Sequence, residues 1–337
     1  MTGPAGSPTP VFLDCDTGID DALALGYLLA SPVAELVGVG SVHGNVSASG
    51  GAENTLRLLG MTGHADIPVA VGASDPLTGS FDGGAVHVHG QDGVGGTRET
   101  LLPATSTTVD AVDAVDAVDA VDAVDLLLRL SHEYAGQLRV VAIGPLTNLA
   151  LALRRDPGIV DRVAEVTVMG GAAMVPGNIT PLAEANIAHD PEAAQEVVAA
   201  SWPVTLVPLD TTMVNTFETG DIDCLQASTA PVVAAIGQML DFYADFYQGV
   251  FGRRSCALHD PLAAAIAVGE VDLVRAPRVP VEVDTTDGPG RGQTVCDLRH
   301  QRAAGPEGVD VDGATVRVVL QSAEGFPRLL RQRLLSL

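Results

Sequence analysis

"VFLDCDTGIDDALAL", residues 11 to 25, decides the fold. Its apolar start, VFLD (11 to 14), reads as a buried strand, and the stretch from residue 20 to 30 reads as the helix that follows it. Asp14 and Asp16, two positions apart in extended chain, point the same way, and Gly18 permits a tight turn. Asp20 and Asp21 fall in the first turn of the helix, where the positive end of the dipole favours carboxylates. Capping explains one or two of these aspartates but not four. A hard divalent cation with oxygen ligands, Ca²⁺ or Mg²⁺ rather than zinc, would relieve their repulsion.

Outward from this unit the same alternation recurs. ELVGVGSV (35 to 42) precedes an amphipathic stretch at 51 to 60, and IPVAV (67 to 71) follows. LRVVAI (138 to 143) precedes 146 to 155, VAEVTVM (163 to 169) precedes 191 to 200, and VTLVPL (204 to 209) closes the series. Strand followed by helix, repeated, predicts an α/β fold with a mostly parallel central sheet and helices on both faces. Ligands in such folds gather at the carboxyl ends of the strands. Residues 215 to 270 read as mainly helical, 279 to 320 as extended, and 322 to 335 as a final helix. No linker divides the chain, so a disordered tail (1 to 9) and a single domain (10 to 337) are expected. VDAVDAVDAVDAVDAVD (109 to 125) lacks the glycine turn and closing glutamate of an EF-hand loop. It reads as a solvated, dispensable helical insertion.

Composition narrows the partners. The net charge is −24 and every one of the 18 basic residues is arginine, which argues against nucleic acids and anionic membranes. The absence of lysine removes P-loop and Schiff-base chemistry. Four scattered cysteines show no zinc spacing. No apolar run reaches the ~18 residues of a membrane span, and the opening lacks the features of a signal peptide. A cytoplasmic protein is expected.

Polar groups cluster where the topology places ligands: His43-Gly44-Asn45, GPLTN (144 to 148), and GGAAMVPGNITPLAEAN (170 to 186) with Asn178, Glu184 and Asn186. Singly, such asparagines are turn residues. Converging on one face, they offer donors and acceptors for a polyhydroxylated ligand such as a sugar. His259-Asp260-Pro261, standing alone, reads as an N-cap aspartate with proline at the first helical position.

DCDTGIDDA (14 to 22), HGN (43 to 45), GPLTN, MGG (169 to 171), GN followed by AEAN (177 to 186), HDP (259 to 261) and RGQTVCD (291 to 297) together resemble the inosine-uridine-preferring nucleoside N-ribohydrolases. The resemblance runs from about residue 11 to the C-terminus and implies their Rossmann-like fold. It also implies Ca²⁺-dependent hydrolysis of a ribonucleoside to free base and ribose, in a homodimer or homotetramer. On that basis Asp16, Asp21, Asp260 and the main-chain carbonyl of Ile143 correspond to metal ligands, and Asp16 also to the base that activates water. Asp20, Asn45, Asn178, Glu184 and Asn186 correspond to ribose contacts, with the main chain of Met169 nearby. His259 corresponds to the group that protonates the leaving base, a task suited to a histidine titrating near neutrality.

A carboxylate-lined pocket suits the cationic sugar that forms as an N-glycosidic bond breaks. Departures from the family pattern are Thr17 in place of a common proline and Ala185 in place of an aromatic, which widens the base pocket. Tyr243 and Tyr247, four apart on a helix, read equally as base contacts or as packing. His89, in VHVHGQDG (86 to 93), lies in a segment resembling the family's mobile loop and reads as a contact. Two rival readings differ in class. A haloacid-dehalogenase-like phosphatase is suggested loosely by DCDTG, although its glycine and threonine are in the wrong order and its lysine is absent. The other is a calcium-dependent sugar-binding protein without turnover.

Overall fold

The computed structural model describes residues 7–101, 122–303, 305 and 307–337. Most of the VDA repeat, 109–121, therefore lies outside the described residues, as do 1–6 of the expected tail. Thr9 belongs to the sheet and not to a tail, because it opens the first strand and its N–H donates to the carbonyl of Val33 at 2.8 Å.

The central sheet has seven strands. In chain order they are β1 (Thr9–Cys15), β2 (Ala34–Ser41), β3 (Val69–Val71), β4 (Arg139–Ala142), β5 (Glu165–Met169), β6 (Val204–Val207) and Val316–Val318. In space the order is Val316–Val318, β6, β5, β4, β1, β2, β3, and every neighbouring pair is parallel. The chain builds outward from β1 on one side, then returns to β1's other side to continue from β4. That reversal opens a crevice beyond the carboxyl ends of β1 and β4, where open α/β sheets bind ligands.

β1 shows why the sheet is buried on both faces. Val11 and Leu13 join one apolar cluster with the helix Ile19–Ala30 (α1), while Phe12 between them joins a second cluster with β4 and β5. Period-two alternation thus feeds two cores, and a strand with no solvated face reads as a continuous apolar run.

The stretch from 215 to 270 is mainly helical, as expected, with one short strand pair that the sequence did not announce. Thr216–Glu218 and Ser255–Ala257 form an antiparallel pair that joins the ends of the helices Thr219–Gln226 and Pro231–Phe251. Strands of three residues carry too little periodicity to announce themselves. The last helix begins at Phe326 and not at 322, because Gln321–Ser322 pairs with Leu273–Arg275 and Gly325, at φ +99°, makes the turn into the helix. No helix among the described residues is long and apolar enough to cross a membrane.

Candidate active site

The aspartate turn sits at the carboxyl end of β1 and leads into α1. Asp21, in the first turn of α1, reaches back so that its carboxylate accepts from the N–H of Gly18 (2.8 Å) and of Asp16 (3.2 Å). Gly18 has an ordinary extended backbone, so its value is space and not the tight turn expected of it. A Cβ there would lie 2.6 Å from His89 Nδ1 and 2.8 Å from Asn45 Nδ2. Gly44 is required twice over, since its φ is +156° and a Cβ would fall 2.0 Å from Asp16 Oδ2. That absence of a side chain lets the Asn45 N–H donate to Asp16 Oδ2 at 2.6 Å while its side-chain amide donates to Asp21 at 3.2 Å.

Asp20, Asp21 and Asp260 bring carboxylate oxygens within 4.8 Å of one another, all buried. Asp260 does not cap its helix, which runs His259–Ala267 with Leu258 at the N-cap; it lies in the first turn, facing the cluster. Asp16 Oδ1 and Asp20 Oδ1 are buried without a hydrogen-bond partner among the described residues. Burial first, then the neighbouring negative charges, push Asp16 and Asp260 well above the usual carboxylate range and Asp21 up to about 7. Uncompensated carboxylates at this depth are costly. Orphaned oxygens, mutual repulsion and an all-oxygen donor set together fit a hard divalent cation.

Asp14 stands behind this group. One of its oxygens accepts from Asn148 at 2.8 Å, the other has no partner among the described residues, and burial pushes it up to about 7.

The helix Pro231–Phe251 supplies two phenols. Tyr243 donates to Asp20 Oδ2 at 2.9 Å, and Tyr247 lies 2.6 Å from His259 Nε2. Packing alone does not account for either. His89 Nδ1 accepts from the Ile19 N–H at 3.1 Å and lies 3.8 Å from Asp20. Burial pushes His89 down to about 3 and His259 down to about 4, Asp20 pulling the latter partly back. His259 is therefore neutral at pH 7, which corrects the expectation of near-neutral titration; desolvation outweighs its one anionic neighbour.

Asn186 ties two strand ends together, its amide donating to the carbonyls of Ile143 (2.9 Å) and Met169 (3.2 Å). Glu184 caps the short helix Ala185–His189, accepts from the Gly171 N–H at 3.0 Å, and is pushed by burial up to about 7. Asn178 is not drawn in: it is exposed, and its side-chain oxygen accepts from the Ala185 N–H at 3.0 Å.

Thr212 escapes the sequence reading. Fully buried, its hydroxyl lies 2.7 Å from His259 Nδ1. It ends the short helix Leu209–Thr212 that begins two residues after β6, so the rule of weighing polar residues beyond strand ends contained part of the signal.

Fold and site define an α/β protein with a buried acidic centre, able to hold a metal ion, at the switch point of its sheet. Over residues 11–323 the chain matches the model of the inosine-uridine preferring nucleoside hydrolases, and it belongs to that family. It is 35% identical over 329 residues to the pyrimidine-specific ribonucleoside hydrolase RihA of Salmonella gallinarum, covering 96% of this chain and 98% of that one. It is 35% identical over 300 residues to the inosine-uridine preferring nucleoside hydrolase of Leishmania major, covering 88% and 90%. Among solved structures, a plant nucleoside hydrolase, PpNRh1, superposes with a TM-score of 0.83 at 31% identity over 97% of this chain and 98% of that one. The chain is thus an enzyme that hydrolyses N-glycosyl bonds of nucleosides.

Proposed function

We propose that the protein is a Ca²⁺-dependent ribonucleoside hydrolase of uridine/inosine type, with Asp16 as the base that activates water. The observation carrying this reading is the partnerless Asp16 Oδ1 beside the Asp20–Asp21–Asp260 cluster. Asp16, Asp21, Asp260 and the carbonyl of Ile143 would hold the cation, which when bound supplies Lewis-acid polarisation of water and of ribose hydroxyls. Asp16 takes the proton from the attacking water through Oδ1, while the Asn45 N–H fixes Oδ2. Asp20, Asn45, Glu184 and Asn186 bind the ribose beside the main chain of Met169, while Asn178, engaged with the Ala185 N–H, stands at the rim.

The nucleobase lies toward Tyr243, Tyr247, His89 and His259. His259, neutral and held between Thr212 and Tyr247, serves the departing base as a member of a hydrogen-bonded chain and not as a free imidazolium. The buried carboxylates favour the cationic ribose electrostatically.

A panel of ribonucleosides tests the function. Calcium-loaded protein should release ribose from uridine or inosine and leave a phosphate ester intact. Turnover of the ester alone would restore the phosphatase reading, and tight nucleoside binding without turnover would restore the binding-protein one. Family membership already weighs against the phosphatase. The acidity of the chain disfavours nucleic acids, the cytoplasm is its proposed compartment, and a homodimer or homotetramer is its proposed assembly, which light scattering of the purified protein reads directly.

Calcium should also act on stability, with a defined pH dependence. A carboxyl such as Asp21, raised from 3.8 to about 7 by burial, favours the folded state at low pH, and that contribution is lost as pH rises through 7. A cation takes over the role of those protons. Adding calcium to chelated protein should therefore raise the thermal midpoint little at pH 5 and by on the order of 5 °C at pH 7.5. An equal rise at both pH values, by calorimetry, would contradict this.

A further inference from the structure

Thr17 occupies the midpoint of the aspartate turn, where the family commonly has proline, and the helix Ala48–Thr62 (α2) holds it from beneath at both ends. Its hydroxyl lies 2.7 Å from that of Thr55, and its carbonyl accepts from the Asn54 amide at 3.1 Å. The Thr55 hydroxyl also lies 3.1 Å from the Gly51 carbonyl, and that of Thr17 3.3 Å from Cys15 Sγ, so the two hydroxyls form the middle of a short buried chain. Gly51 lets the helix come this close: a Cβ there would stand 3.3 Å from the Asp16 carbonyl carbon and 2.7 Å from Ser41 Oγ. Thr17, Asn54 and Thr55 are all buried. Asn54 is in turn fixed by Arg98, whose Nε donates to its side-chain oxygen at 3.0 Å. The Thr17 N–H donates to nothing among the described residues, so the position has no need of the donor that a proline would lack.

The residues on either side of Thr17 set the acidic centre. The N–H groups of Asp16 and Gly18 are the two main-chain donors to the Asp21 carboxylate, and Asp16 carries an oxygen with no partner among the described residues. Without a cation the crowded carboxyls either hold protons or repel one another, so neither state by itself sets their oxygens for a metal. A turn fixed beforehand removes that ordering cost from binding.

We propose that the Thr17–Thr55 hydrogen bond is a positioning device that preorganises the cation site, giving this chain through a buried hydroxyl pair the stiffness a proline ring would supply. This rests on the metal reading above. The test is calorimetric titration of Ca²⁺ into chelator-treated protein, with thermal midpoints of the same samples.

Thr17→Val and Thr55→Val, which keep side-chain volume, should each weaken Ca²⁺ binding by roughly tenfold, as loss of groups supporting metal ligands does. The double variant should be no weaker than either single one, and Thr17→Ser should bind within about twofold of the unsubstituted protein because it keeps the hydroxyl. Unchanged affinity in both valine variants, with only the midpoints lowered, would leave the pair a purely structural contact and overturn the proposal. So would Thr17→Ser binding as weakly as Thr17→Val, which would assign the effect to the methyl group. Failure of the unsubstituted protein to bind Ca²⁺ overturns the metal reading and this inference together, whereas normal binding by every variant overturns the inference alone.

Discussion

Replacing Asp16 by alanine should lower turnover of uridine or inosine by roughly 10⁴-fold or more, since it removes a general base and a metal ligand at once. The two losses can be separated. Asp16→Asn keeps an oxygen in place and the contact with the Asn45 N–H, but an amide cannot take a proton. It should retain measurable Ca²⁺ binding while losing nearly all of kcat. If Asp16→Asn at saturating calcium kept a tenth or more of the rate, proton abstraction would lie with another group. The partnerless Oδ1 makes the expectation specific, because the other oxygen is already engaged by the chain at 2.6 Å.

His259→Ala should slow natural nucleosides by on the order of 10²- to 10³-fold, the usual scale for losing assistance to a leaving group. A p-nitrophenyl riboside, whose leaving group departs without a proton, should lose less than about tenfold. Equal losses on both substrates would assign His259 to the ribose or to packing. Because burial holds His259 down to about 4, loss of its assistance on raising the pH should not appear as a step near 6.5. Such a step in kcat for uridine, absent in His259→Ala, would show that the bound state restores the imidazolium.

The central sheet was legible because strands buried on both faces read as unbroken apolar runs, and β1 with its two-sided core is the clearest of them. The aspartates were legible because repulsion in so short a stretch demands an explanation. What escaped depends on the approach of distant segments. Thr55 and Asn54 mean nothing until α2 slides beneath residue 17. The hydroxyl pairing explains how a threonine serves where proline is common, while the sequence showed only a departure from pattern. The 216–218 and 255–257 pairing lies across two helices and is three residues deep, below what periodicity can report. The His259 titration was misjudged because burial, which sets it, is a property of the fold.

The reversal of strand order between β1 and β4 has a consequence for assembly of the chain itself. Asp16 and Asp21 come from its opening turn, Ile143 from its middle and Asp260 from a helix near its end, so no fragment holds the whole donor set. A cation held there would act as a clip across a very long loop, a closure whose entropic cost grows only slowly with length. It would report, by its affinity alone, that both halves of the sheet have come together.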